Sequence, residues 1–330
     1  MSVTTKGSTP ASAGTAGTFR SARLPIGPRV LGQRLLAAAF AVWAAVTIVF
    51  VMITATGDPA LALAPEDASA AQVEQIRARY GFDQPIAVQY VRFVVDLATG
   101  GFPSSLYSRQ TASEVVLGTL PNTLLLAGAG ICVGILLGGT IGYLSVFARS
   151  RLVRELPIGA LMVFQSIPAF LTGILLILFF SLQLRWLPTS GARSWMSLIL
   201  PAVTVGLSLA PAIARLLRSA LLEQLAADYV NTARAKGLSR RQIRLRHMLG
   251  NSLVPVVTLV GLQAGSLLSG IIVVETVFAW PGLGSQLVKS VNLHDYPVVV
   301  TAVIVVAIAY VMLSLLVDIL VMILDPRSRR

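Results

Sequence analysis

Charge is scarce in this 330-residue chain: 12% of residues are Asp, Glu, Lys or Arg, whereas 55% are hydrophobic and mean hydropathy is +0.78. A water-soluble domain of this size cannot hide so much apolar side chain. Most soluble enzymes and any disordered chain are therefore excluded, and lipid is the expected solvent for much of the surface. Cysteine is scarcer still. Cys132 is the single one and lies in an apolar run, which leaves neither a disulfide framework nor a Cys-based metal cluster. The two histidines, His247 and His294, are far apart in sequence and argue against a structural zinc site. Acids are also few, 14 against 26 Lys and Arg, for a net charge of +12. Such an excess fits nucleic acid, acidic lipid or membrane topology, and only position separates them.

Long apolar runs are what the chain has in abundance. Six are near the ~20 residues needed to cross a bilayer core: Leu35 to Thr56, Leu120 to Phe147, Pro157 to Leu182, Trp195 to Leu217, Leu253 to Val277 and Pro297 to Leu324. The first is too long, and lacks the small-residue cleavage site, for a removable signal peptide. Residues 1–28, rich in Ser, Thr, Ala, Gly and Pro, read as a disordered tail. The expected organisation is that tail, a first spanning helix over 29–56, an outer loop over 57–119 with peripheral helices, and a core over 120–330 whose inner loop covers 218–252. Six spans put both termini on one side. That side holds 19 of the 26 basic residues, eight of them between Arg215 and Arg246, so the positive-inside rule places both termini in the cytoplasm. Topology thus absorbs most of the positive charge.

In the outer loop the pattern predicts a helix from Ala70 to Tyr80, a turn at 81–85, and an apolar stretch from Ile86 to Leu97 lying along the membrane surface. The inner loop is more informative. Asp228 is placed to cap a short helix from Tyr229 to Lys236, and Gly237 stands where helices end in a left-handed residue. Ser239-Arg240-Arg241-Gln242 then fits a capping box opening a second, basic helix to about Gly250. The small residues Thr232, Ala233 and Ala235 suit close approach to a partner's groove, with Arg234 and Lys236 meeting acids on its rim. Composition alone fits equally well a solvated loop made basic by topology.

These residues carry a resemblance. The run DYVNTARAKGLSRRQIRLRHMLGNSLVPVVT at 228–258 resembles the cytoplasmic loop of membrane permeases of ATP-binding-cassette importers, in the dipeptide, oligopeptide and nickel branch. Further matches are GFDQPIAVQY at 81–90, ILPAVTVGLSLAPAIARLLRSALLEQL at 199–225, VVETVFAWPGLGSQLV at 273–288, DYPVVV at 295–300 and VDILVMILDPRSR at 317–329. They occur in family order from Arg34 onward. The resemblance implies an all-α polytopic protein, a type I importer transmembrane domain with six spans, working by alternating access. It implies a second homologous permease, two ATPase subunits that use ATP and Mg, an extracytoplasmic binding protein, and peptide as solute, with nickel or oligosaccharide as alternatives. Tyr229, Asn231, Thr232, Ala233, Arg234, Ala235, Lys236 and Gly237 fall at the coupling helix that seats in the ATPase. Asn231 departs from the broader signature, which begins with an acid. Glu275, Trp280, Pro281, Gly282 and Gly284 fall at the outer gate or a binding-protein contact. Glu275 reads either as a gating contact or as a group facing solute, and residues 280–284 read either as a helix stop with two flexible glycines at the membrane mouth or as an ordinary turn anchored by an interfacial tryptophan.

Other readings have specific obstacles. A phosphate-binding loop needs Gly-Lys-Ser/Thr, and Lys289-Ser290 follows Val288; no nucleotide, metal or other cofactor is expected on this chain, which reads as a non-catalytic subunit. A proton-coupled carrier needs ionisable groups at mid-membrane, and the spans offer only Asp318, read as a local polar contact, and Glu275 near an outer end. Nucleic acid is disfavoured because the basic hairpin is tethered at both ends to spans. Gly130, Gly134, Gly138 and Gly142 form one small stripe, read as helix packing. Cys132 reads as span filler, His247 as an interface or structural residue, and His294 has no assigned role.

Overall fold

A computed structural model of the chain describes residues 28–55, 58, 60–61, 64, 68–101, 104–105, 107–108 and 110–324, with side chains left aside at 28–31, 34, 53, 264–266, 268–269 and 317–324. The expected tail up to residue 27, the basic residues Lys6, Arg20, Arg23, Arg109, Arg327, Arg329 and Arg330, and the side chain of Asp318 lie outside this set. Among the described residues every extended element is helical, with one isolated bridge between Ser104 and Thr111. Five helices are long and apolar enough to cross a membrane, and a bent pair of helices together makes a sixth candidate.

Helix α1, Pro28–Ala55, is followed by α2, Ala70–Tyr80, and α3, Ile86–Thr99. Helix α2 has the bounds read from the sequence because both ends are locally coded. The Ser69 hydroxyl accepts from the Gln72 amide, and Gly81 ends the helix at φ 71°. Helix α3 packs against α1. Its Tyr90 and Phe93 pack edgewise and tilted against Phe50 of α1, and Tyr90 shares a 2.8 Å hydrogen bond with Thr47.

Helix α4, Ala112–Phe147, begins eight residues before the expected span. The missed signal is Thr111-Ala112-Ser113-Glu114, a reciprocal capping box. At 1.5 Å per residue α4 is about 54 Å long, well beyond a hydrocarbon core.

The third expected span is not one continuous helix. It is two helices, α5 Arg151–Ser166 and α6 Ala169–Leu176, the latter continuing as a π-helix over Ile177–Gln183, and their axes turn by 113°. Pro168 supplies no N–H and forces Ile167 out of the helical region, to φ −90°, ψ 128°.

Helix α7, Ile199–Leu225, is the most enclosed element and packs along α4. The four glycines of α4 face it. An added Cβ at Gly130 would stand 2.4 Å from Val205 Cγ1, and one at Gly138 2.6 Å from the Ala210 carbonyl oxygen. Gly206 of α7 returns the fit, its place for a Cβ lying 2.5 Å from Val133 Cγ1. Close backbone approach of this kind is how helices associate in lipid, where burial of apolar surface gives no drive.

The short α8, Asp228–Ala235, precedes a helical run that opens at Arg240–Gln242, passes through a π-helical segment Ile243–Met248, and becomes α9, Leu249–Val277. The basic helix therefore does not stop at Gly250. Helices α10, Leu283–Asn292, and α11, Tyr296–Leu324, complete the chain. Apolar clusters fill the interior at two levels, outer and inner by the topology expected from the basic residues. Leu126, Val205, Ile271, Val274, Phe278 and Trp280 form the outer one, and Leu217, Leu221, Val230, Ile243 and Met248 belong to the inner one.

Candidate functional site: an inner hairpin and an outer network

The inner hairpin is built by local signals, with one reassignment. Asp228 is the first residue of α8 and makes no cap; Ala227 occupies the capping position. An acid in the first turn still complements the partial positive charge of the helix start. Gly237 adopts φ 78° and its amide donates to the Arg234 carbonyl at 3.0 Å, while the Leu238 amide reaches back to Ala233 at 3.2 Å. Ser239 and Gln242 exchange the two bonds of a capping box, at 3.0 and 3.3 Å.

Burial divides α8 into two faces. Val230 is fully buried in the inner apolar cluster, and Ala233 packs against the same cluster. Ala233, three positions on and so on the same helix face, is half-buried there. Val230 was missed, although its apolar spacing to Ala233 was present in the sequence. Tyr229, Asn231, Thr232, Arg234, Ala235, Lys236 and Gly237 are exposed. The Tyr229 hydroxyl donates to Gln224 Oε1 at 2.6 Å, tying α8 to the end of α7. Arg244 stacks over the Phe147 ring at 4.6 Å, and Arg218 forks onto both oxygens of Glu155 at 3.3 Å. These contacts join the inner ends of α4, α5, α7 and α9 around the hairpin.

At the opposite end, Glu275 has no exposed surface. Its Oε1 accepts from the Thr123 hydroxyl at 2.6 Å, and its Oε2 accepts from the amides of Gly284 and Ser285 at 2.7 and 3.0 Å. Thr123 also accepts from the Leu283 amide at 2.7 Å. The first amides of α10 are therefore satisfied by side chains of α4 and α9. Trp280 is buried, and its indole N–H donates to the Asn122 carbonyl at 3.0 Å, while Asn122 Nδ2 donates to the Pro281 carbonyl at 2.8 Å. Gly282 and Gly284 sit in close contact with their surroundings. A Cβ at Gly282 would sit 2.0 Å from Glu275 Oε1, and one at Gly284 would sit 2.6 Å from Ile272 Cα. They are glycines because the carboxyl group and the α9 backbone come too close for a side chain. Asn122 and Thr123 were missed in the sequence; a polar pair directly after Pro121, inside an apolar run, was the available sign.

No group of three or more His, Cys, Asp or Glu is placed to hold a metal among the described residues.

Comparisons with known proteins agree with this arrangement. Residues 125–330 match the family described as binding-protein-dependent transport system inner membrane component, and residues 28–127 match its N-terminal companion. The chain is 41% identical over 273 residues to the glutathione transport system permease protein GsiC of Salmonella paratyphi A, covering 83% of this chain and 89% of that one. It is 38% identical, with the same coverage, to GsiC of Escherichia coli K12. Among solved structures, an inward-facing MetNI methionine ABC transporter matches at TM-score 0.53 and 19% identity, over 64% of this chain and 96% of that one. An amino acid ABC transporter matches at TM-score 0.51 and 14% identity over 64% and 94%. These two likenesses are of fold: a type I importer transmembrane domain. With its multi-pass helices, inner hairpin and outer network in place, the chain belongs to the binding-protein-dependent transport system inner membrane component family and is the permease component of an ABC importer.

Proposed function

We propose that this permease pairs with a second, homologous permease to form the pathway of an importer for short peptides, glutathione among them. Two separate ATPase subunits hydrolyse Mg-ATP, and an extracytoplasmic protein delivers the solute. Both termini are cytoplasmic, and the exposed face of α8, from Tyr229 to Gly237, seats in an ATPase. The observation that carries the reading is the division of α8. Val230 and Ala233 hold it in the cluster between α7 and α9, while its other side chains are free to be gripped. Force on the exposed face therefore reaches two spans directly. At the other end, Glu275, Trp280, Pro281, Gly282 and Gly284 belong to the outer gate, near where the binding protein docks. The solute class rests on the likeness to glutathione permeases.

Gly237→Val tests the coupling assignment. No atom lies within 4 Å of the new Cβ, so the cost comes from the left-handed backbone alone, about 1–2 kcal/mol. The variant is expected to reach the membrane but lose about tenfold or more of ATP-driven uptake, within the usual range of coupling energies. Uptake and hydrolysis both at wild-type levels would overturn the assignment. For the solute, thermal shifts of the partner binding protein with glutathione, dipeptides and nickel chelates decide. Stabilisation by nickel complexes alone overturns the peptide reading.

A further inference from the structure

We infer that Glu275 is a positioning residue: a buried carboxylate that caps α10 from outside that helix and fastens the outer ends of α4, α9 and α10 into one body that moves as a unit. This deepens the gate assignment and rests on the importer reading only for its transport arm. A carboxylate that greets solute must present an oxygen to the pathway. Glu275 presents none, since one oxygen takes the Thr123 hydroxyl and the other takes the Gly284 and Ser285 amides.

The helix start it caps carries partial positive charge and amides with no partner inside the helix. Thr123 closes the arrangement by donating to Glu275 while accepting from Leu283. Three helices therefore share one hydroxyl and one carboxyl group. Separating any two leaves buried donors or acceptors unmet, a state proteins avoid. Gly282 and Gly284 add a steric argument, because both are shaped around the carboxyl group and the α9 backbone. Relative movement on the outer side must then occur elsewhere.

Two measurements test this. The first is amide exchange over residues 283–286 in the purified full-length chain, which needs no knowledge of solute. Protection is expected in the wild type and in Glu275→Gln, which keeps one oxygen for the paired amides. Glu275→Ala is expected to exchange about tenfold faster or more there, as buried amides lose their acceptor. Unchanged exchange in Glu275→Ala overturns the capping role. The second uses the assembled importer in liposomes. Cysteines replace Leu120 and Leu287, which pack on the same apolar cluster, in a Cys132→Ala background, and a short bis-maleimide bridges them.

ATP-driven uptake of S-methylglutathione is expected to survive bridging at the level of the singly blocked control. Uptake lost only on bridging would show α4 and α10 separating and overturn the single-body claim. Glu275→Gln with an altered solute dependence but unaltered α10 exchange would make Glu275 a solute contact, and that also overturns the proposal. Failure of every importer variant, wild type included, to take up the probe counts against the solute reading, and amide exchange alone then decides the role of Glu275.

Discussion

Thr123 shows how much one hydroxyl can carry. It is 4% exposed, donates to one buried group and accepts from another. Thr123→Val keeps the volume and leaves Glu275 Oε1 and the Leu283 amide unmet, at an expected cost of about 2–4 kcal/mol. The check is the temperature at which the detergent-purified chain loses its monodisperse gel-filtration peak. Ala279 offers the reverse case. It holds φ 46° between Phe278 and Trp280, where an L side chain is strained. Ala279→Gly is expected to raise that temperature slightly, by removing a backbone penalty of about 1 kcal/mol. These residue roles were only partly legible beforehand. Glu275 stood out as a lone acid near a span end, but its partners lie 152 and about ten residues away in sequence, and periodicity does not reveal pairings across helices. Gly282 and Gly284 looked like hinges because sequence reports a missing side chain without saying what fills its place.

Elements were legible where a locally coded end was read, as at Gly81, Gly237 and Ser239, whereas the equally local capping box at Thr111 was passed over. The capping boxes at Ser69, Thr111 and Ser239 and the left-handed glycines at 81 and 237 all sit at true boundaries. Boundaries failed where hydropathy alone set them. Helix α4 passes beyond its apolar run, and the run from Pro157 to Leu182 hides a break because both of its halves are apolar. The residue that breaks it, Pro168, stands inside that run. The α4 and α7 pair gives the element-scale prediction. Gly138→Val forces its new atoms toward the Ala210 carbonyl and Ile213, and overpacking of that kind costs about 1–3 kcal/mol. The lowered stability should appear in the same heating assay, whereas Gly139→Val, whose Cβ meets nothing within 4 Å, should leave it unchanged.

For the whole molecule, the charge pattern and the fold are one fact seen twice. The basic residues between Arg215 and Arg246 surround α8 and the inner apolar cluster, while Arg185 and Arg193 lie between α6 and α7 at the other end. Single cysteines at 193 and 246, in a Cys132→Ala background, should therefore differ with a membrane-impermeant maleimide on intact cells. Position 193 should label, and position 246 should label only after the membrane is opened. The reverse pattern would invert the orientation proposed for the chain.

One helical run opens at Arg240, directly after the hairpin turn, and ends at Val277, two residues beyond Glu275. At 1.5 Å per residue it spans about 57 Å. In genetic terms its two ends are not independent loci. A damaging substitution on the exposed face of α8 should be suppressible by second-site changes near Thr123, Glu275 or Ser285, on the far side of the membrane, and selection for restored growth on a transported peptide would recover them.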